Sequence, residues 1–493
     1  MKRRIRTTNG WLLALFAAAS VAASPPRRDT ALEAALLAHI TVLASDDYGG
    51  REPGTEGETK TLRYLAHQWF DIGLESGTND PAHEWFAPVT LVARVPASSS
   101  AGFTRKGRRL YVPADAQLVL TSGERALVEN APVLFVGKGA GAVPARADMA
   151  GRVALILDGG IDNSIRQNAL LAGGASAVLT VLDGDRTLEQ VSARRRRLGY
   201  ALASDATGGD LDAFVTGAAF DRILTGMGQS VAGLRRAAAA ADFVPHPIDL
   251  AVSLEATTRA TTIKTHNLIG RLPGRHPETG AVLLVAHWDH FGTCAQPPAE
   301  HTICNGAVDN ASGVAVLTEI ARRLSRVPQM DRDVIFLATT GEELGLLGAQ
   351  AFTDNPPLPL TQIVAAFNID TVAINPAGTP LGVVGQGRTT LDAGIAAVAR
   401  AQRRQILQSD APNAYLRRQD GWALLQHDIP AVMISSAYGN MTRLEAYMDK
   451  DYHRPSDQVK PGLELGGAAE DTVFHVALVR WFADSRKVPL PRK

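Results

Sequence analysis

Val282-Leu-Leu-Val-Ala286 runs straight into His287-Trp-Asp-His290. Five apolar residues in a row cannot form a strand with one wet face, because such a strand alternates. They fit a strand buried on both sides. The pattern recurs along the chain. Asp333-Val-Ile-Phe-Leu-Ala338, residues 363–369 and Ala431-Val-Met-Ile-Ser435 read as further strands. Residues 314–324, 391–404 and 466–482 carry apolar side chains at helical spacing, the first introduced by Asn310-Ala-Ser-Gly313. Strands alternating with helices predict an α/β fold, a mostly parallel mixed sheet flanked by helices.

Upstream, residues 31–43 and 59–74 have helical spacing. Between them lies Asp46-Asp-Tyr-Gly-Gly-Arg-Glu-Pro-Gly54, dense in turn formers. From about residue 110 to 247 the texture changes. Pro132-Val-Leu-Phe-Val136, Val153-Ala-Leu-Ile-Leu157 and Ala177-Val-Leu-Thr-Val181 are short buried-strand candidates, with a helix candidate at 164–172. This predicts a separate, inserted β-rich unit, and it holds no cluster of His, Cys and carboxylates. The basic run 194–197 reads as a solvated helix face. The expected division is a signal peptide at 1–23, then 24–109 and 250–493 forming one domain around the insert 110–249.

The signal peptide is read from a basic start, Met1-Lys-Arg-Arg-Ile-Arg6, an apolar stretch at 11–19, and small residues at Val21-Ala-Ala23. The apolar stretch is short of the ~20 residues a spanning helix needs. An exported protein, periplasmic or extracellular, with no membrane span after cleavage, is therefore expected. The chain has 493 residues, with 50 Lys and Arg against 50 Asp and Glu. That balance points away from nucleic-acid and acidic-membrane partners. The two cysteines, Cys294 and Cys304, would pair as a disulfide in an oxidising compartment. Zinc thiolates are the alternative, though no Cys or His at zinc-finger spacing lies nearby.

Polar groups follow each strand of the C-terminal half. They are His287-Trp-Asp-His290, Gly306-Ala-Val-Asp-Asn310, Thr340-Gly-Glu-Glu343, Asn368-Ile-Asp370 and Asp451-Tyr-His453. In an open α/β sheet, ligands bind beyond the carboxyl ends of the strands. Each residue alone has an ordinary explanation. His287 and His453 can be a hydrogen-bonded and a surface histidine, Asp309 a helix cap, Glu342 and Glu343 first-turn acids, and Asp370 the start of a loop. Together they bring several carboxylates to one edge, where they repel unless cations compensate. Two divalent metals held by His287, Asp309, Glu343, Asp370 and His453 would do so. Imidazole and carboxylate without thiolate suit catalytic zinc.

At these residues the chain resembles the co-catalytic di-zinc aminopeptidases, metallopeptidase family twenty-eight. The matching stretches are Ala286-His-Trp-Asp-His-Phe-Gly292, Gly306-Ala-Val-Asp-Asn-Ala-Ser-Gly313, Thr340-Gly-Glu-Glu-Leu-Gly-Leu-Leu-Gly348, Asn368-Ile-Asp370 and Tyr452-His-Arg-Pro-Ser-Asp457. The insert is similar to a protease-associated domain in Asp148-Met-Ala-Gly-Arg-Val-Ala-Leu-Ile-Leu157 and Ala172-Gly-Gly-Ala-Ser-Ala-Val178. The resemblance implies two zinc ions per chain. One is bound by His287 and Asp370, the other by Glu343 and His453, and Asp309 bridges them. It implies Asp289 as the partner orienting His287, Glu342 as general base and Tyr452 as an oxyanion donor. The activity it implies is removal of N-terminal residues from peptides by a hydroxide held between the zincs. The chain departs from the pattern at Arg418-Gln-Asp-Gly421, where many relatives carry Ser-Asp-His, and at Arg454, where Thr is common.

Other readings compete with this one. A carboxypeptidase or dipeptidase on the same scaffold would need a basic pocket, for which Arg417 and Arg418 are candidates. A glutaminyl cyclase keeps a single zinc, against the presence of both His287 and Asp370. A non-catalytic receptor-like protein would lack ligands or base.

Overall fold

The computed structural model describes residues 28–490 except 139–141, 160–163, 183, 185, 198 and 206–209. The expected signal peptide lies outside the described residues, and so do the side chains of 194–197.

The strand Ala281–His287 lies at the centre of the C-terminal half, parallel to Asp333–Thr339 on one side and Ile363–Asn368 on the other. Ala431–Ser435 continues the parallel set, and Gly382–Val384 closes that edge antiparallel. The central strand sends Val282, Leu284 and Ala286 to one face and Ala281, Leu283 and Val285 to the other. Both sets are buried, as an uninterrupted apolar strand requires. On the first face pack the helices Thr30–Leu43, Glu56–Ile72, Ser312–Leu324 and Gly466–Phe482. Phe352 and Leu424, from the helices Leu347–Asp354 and Gly421–Leu425, cover the second.

Local chemistry sets the helix ends. Thr55 accepts from the Gly57 N–H, so the second helix begins at Glu56, ahead of the expected 59. It stops at Gly73, which takes the left-handed conformation (φ 90°).

The two halves share one strand. His246–Leu272 pairs antiparallel with Asp333–Thr339 near its end and with Arg125–Lys138 near its start. Phe86–Arg105 runs antiparallel beside it, from Leu268↔Phe86 to Ala251↔Thr104. Position 250 therefore lies within a continuous strand, not in a linker. The sheet is mixed because these long strands antiparallel to their neighbours join two parallel sets.

The insert has its own parallel set, Arg125–Lys138, Val153–Leu157, Ala177–Leu182 and Leu211–Thr216, and its own core around Phe135, Leu155 and Phe220. It carries more helix than its sequence texture conveyed. Gly217–Thr225 and Val231–Ala238 start on the side-chain caps Thr216 and Ser230. Among the described residues no helix is long and apolar enough to cross a membrane.

Candidate metal centre

Each parallel strand of the C-terminal half stops at the same edge and hands the chain to a polar loop. His287 is the last residue of its strand. Asp309 follows a turn at Gly306, where φ is 54° and a Cβ would lie 1.9 Å from the Asp309 main-chain oxygen, so only glycine fits. Asn310 joins this turn to the next strand end. Its Nδ2 donates to the Ile369 oxygen (3.0 Å), and its Oδ1 accepts from the N–H groups of Gly313 (2.9 Å) and Thr371 (3.3 Å). Glu342 and Glu343 follow Asp333–Thr339, and Asp370 follows Ile363–Asn368.

The folding brings the five expected ligands together. Asp309 Oδ1 is 3.2 Å from His287 Nε2, and its Oδ2 is 3.3 Å from His453 Nε2. Asp370 Oδ1 is 3.5 Å from His287 Nε2, and Glu343 Oε2 is 3.0 Å from His453 Nε2. One carboxylate thus turns an oxygen to each of two imidazoles, and each imidazole has a second carboxylate beside it. Three sets of ligand atoms lie within 4.8 Å of one another: His287, Asp309, Asp370; His287, Glu342, Glu343; and His290, Asp309, Glu343.

These contacts are not hydrogen bonds. His287 Nε2, His453 Nε2 and Asp309 Oδ2 are buried without a hydrogen-bond partner. Orphaned buried polar atoms are costly, and here each lies beside the carboxylate or imidazole of another candidate ligand. Divalent cations between these groups would satisfy them, so the residues present fit a pair of metal ions with nitrogen and oxygen ligands.

Electrostatics divides the neighbouring glutamates. Burial, with Glu343, Asp370 and Asp420 nearby, pushes Glu342 well above the usual carboxylate range despite His287. Burial also acts against charge on Glu343, yet His290 and His453 hold it below its ordinary value. Asp309 is likewise held well below by His287 and His453 against its burial. Burial opposes charge on His287, but Glu342, Asp309 and Asp370 raise it well above an ordinary histidine. His453 stands at about 9 against its burial, raised by Asp309 and Glu343. Metal ligation needs these imidazoles neutral, so cations would take the place of the protons.

The remaining expected residues are close by. Asp289 is fully buried and pushed up to about 7 by that burial. Its main-chain oxygen, 3.1 Å from His287 Nδ1, makes the bond to the ring, while its carboxylate is 3.8 Å away and accepts from the Glu342 N–H (3.2 Å). Asp289 therefore touches the ligand through its backbone and Glu342 through its side chain. Tyr452 stacks on the His453 ring (centroids 3.6 Å apart), with its hydroxyl 3.5 Å from Arg418 Nη2. Asp420 is buried and accepts from the Thr339 hydroxyl. Cys294 and Cys304 form a disulfide across the hairpin Gly292–Thr293 and Ile303–Cys304.

Three residues were not foreseen. His290 bonds Glu343 Oε1 through Nδ1 (2.5 Å), and its place in the His287-Trp-Asp-His290 run was the available signal. Arg51 and Asp457 reach the turn that carries Asp309. Arg51 is 236 positions before His287, and nothing local in the sequence connects the two.

The chain is similar to known peptidases over part of its length. Residues 267–476 match the model of Peptidase family M28. That stretch is less than half of the chain, and it contains every metal-ligand candidate. Aminopeptidase YwaD of Bacillus subtilis is 33% identical over 123 residues, 24% of this chain and 24% of that protein. A vacuolar membrane protease of Candida glabrata is 32% identical over 111 residues, 22% of this chain and 11% of that protein. The matches thus span a quarter or less of either relative. The solved aminopeptidase from Aneurinibacillus sp. strain AM-1 has the same fold at 18% identity, with a TM-score of 0.55 over 94% of this chain and 96% of that one.

Proposed function

We propose that this protein is an exported zinc aminopeptidase that removes N-terminal residues from peptides at a two-metal centre. The observation that carries the reading is Asp309, with one oxygen beside His287 and the other beside His453. A shared carboxylate between two nitrogen ligands is what two adjacent cations require. His287 and Asp370 would hold one cation and Glu343 and His453 the other. When bound, such a pair polarises the scissile carbonyl and makes water acidic enough to attack near neutral pH.

The chain's own residues would do the rest. Glu342 is not one of the five proposed ligands, and burial raises it above an ordinary carboxylate, so it would take a proton from the attacking water and return it to the leaving amine. Asp289 fixes the start of the Glu342 segment by accepting its N–H. Tyr452, held flat against His453 with Arg418 beside its hydroxyl, would donate to the developing oxyanion. Export is supported by residues 1–23 and by the disulfide, which persists in oxidising compartments. The insert would be a protease-associated domain, on its sequence similarity.

The test is a zinc determination on purified protein together with hydrolysis of aminoacyl-anilides and N-blocked peptides. About two zinc ions per chain and turnover of free N-termini only are expected. Turnover of N-blocked peptides with release of their C-terminal residue would instead place Arg417 and Arg418 in a carboxypeptidase. Absence of bound metal after zinc saturation would end the proposal.

A further inference from the structure

The 306–309 turn presents the Asp309 carboxylate, and it hangs between two buried side chains of opposite charge. Arg51, 0% exposed, faces its carbonyl side. Arg51 Nη1 donates to the main-chain oxygens of Asn305 (2.6 Å) and Leu43 (2.9 Å), Nη2 to that of Gly306 (3.0 Å), and Nε to that of Trp288 (2.8 Å). Asp457, 2% exposed, faces the amide side. Its carboxylate accepts from the N–H of Val308 (3.0 Å) and of Asp309 (3.1 Å), and from the Tyr447 hydroxyl (2.9 Å). Among the described residues neither side chain forms an ion pair.

Burying an ion without a counter-ion is expensive. Here each ion is compensated by charge-assisted bonds to main-chain or hydroxyl dipoles. A core that needed only packing would use apolar side chains of similar size. What these two ions supply is position. Arg51 ties the residue after His287 to the residues before Asp309, and Asp457 fixes the amide of Asp309 itself. The surroundings of Arg51 are tightly constrained. Arg51 sits at a left-handed φ of 53°, and a Cβ on neighbouring Gly50 would lie 2.4 Å from the Cys304 oxygen.

We infer that Arg51 and Asp457 are positioning residues for the metal centre, holding the Asp309 carboxylate and the end of the His287 strand at the spacing two cations need. The inference rests on the metal-centre reading above. It also places part of the site's support in the N-terminal segment, outside the stretch that matches the family model.

The experiment uses the full chain with Arg51→Lys, Arg51→Met and Asp457→Asn. Zinc affinity of the apo protein is measured by competition with a chromophoric chelator. The visible spectrum of the Co²⁺-substituted protein, kcat and KM are measured alongside, and near-UV circular dichroism reports folding. Outer partners of ligands typically contribute 10–100-fold to metal affinity. Folded Asp457→Asn and Arg51→Lys are therefore expected to bind zinc 10–100-fold more weakly, with a changed Co²⁺ spectrum and a lower kcat at saturating zinc. Asp457→Asn keeps size and shape, so it carries the test even if the arginine variants fail to fold. Zinc affinity within twofold of wild type with an unchanged Co²⁺ spectrum overturns the inference. Failure of Asp457→Asn to fold also overturns it, because the role would then be structural. If wild type binds no zinc, the metal-centre reading falls. If wild type and variants bind alike, only this inference falls.

Discussion

Glu342 and Glu343 are neighbours in sequence, yet they are pushed in opposite directions. Two adjacent carboxyls on a strand-end loop face different surroundings. Burial and neighbouring carboxylates outweigh His287 at Glu342, while His290 and His453 outweigh burial at Glu343. A ligand must be ionised and a proton carrier must be able to hold a proton, so this separation is consistent with the proposed division of work between them. Glu342→Gln removes the proton acceptor while keeping size. It is expected to retain zinc within experimental error and to lower kcat by about 10²–10⁴-fold. Near-normal turnover in that variant would remove Glu342 from the base role. The residues pairing with each glutamate follow from spatial neighbours, which is why the sequence named both acids but could not show His290 beside one of them.

At the scale of elements, the strand Ala281–His287 and the hairpin behind it do different jobs. The strand is buried on both faces and brings its final residue to the sheet edge. The hairpin between Gly292–Thr293 and Ile303–Cys304 is short and closed by the disulfide Cys294–Cys304, just before the 306–309 turn. Cross-linking a loop this short restricts the unfolded chain by about 3 kcal/mol. A Cys294→Ser, Cys304→Ser double variant should therefore show a lower denaturant midpoint. An unaltered midpoint would mean the hairpin is held by its contacts with the 46–51 segment alone. The strands and the helix at 466–482 were legible because continuous apolar runs and helical spacing are local properties. The helices at 217 and 231 were not, since each is short and its apolar spacing, Phe220, Ile223 and Leu224 in one and Val231 and Leu234 in the other, spans only two turns or so.

At the scale of the molecule, the N-terminal helices and the C-terminal strands form a single core. Leu32, Leu36 and Trp69 share it with Val282, Phe336 and Phe474. Metal bound at the edge of that core would couple to its stability. Removing zinc with a chelator should lower the unfolding midpoint by several degrees, and restoring zinc should recover it, because a ligand held only by the folded state stabilises it by mass action. A midpoint indifferent to chelator would contradict a preformed metal site.

A second global tie is Asp331. It accepts from the Ser485 N–H (3.1 Å) and hydroxyl (3.0 Å) and from Arg275 Nη2 (2.6 Å), anchoring the C-terminal tail. The Ser485 N–H bond first, then Arg275, depress its carboxyl to about 2. Its stabilisation is therefore full above the ordinary carboxylate value and is lost as pH falls towards 2. The gap in unfolding midpoint between wild type and Asp331→Asn should be open at pH 6 and close on acidification towards pH 2. A gap independent of pH would mean packing, not charge, is the cause.

What the sequence determined by itself was the parallel strands and main helices of the C-terminal half and the chemical type of each group at the strand ends. Both are written in short windows, as apolar runs followed by His, Asp and Glu. Only the tertiary structure decided that the strand His246–Leu272 is common to both halves of the molecule, that His290 sits against Glu343, and that Arg51 and Asp457 grip the turn bearing Asp309. Those relations depend on contacts across hundreds of residues, and main-chain carbonyls and amides, which carry no residue identity, are the partners that Arg51 and Asp457 recognise.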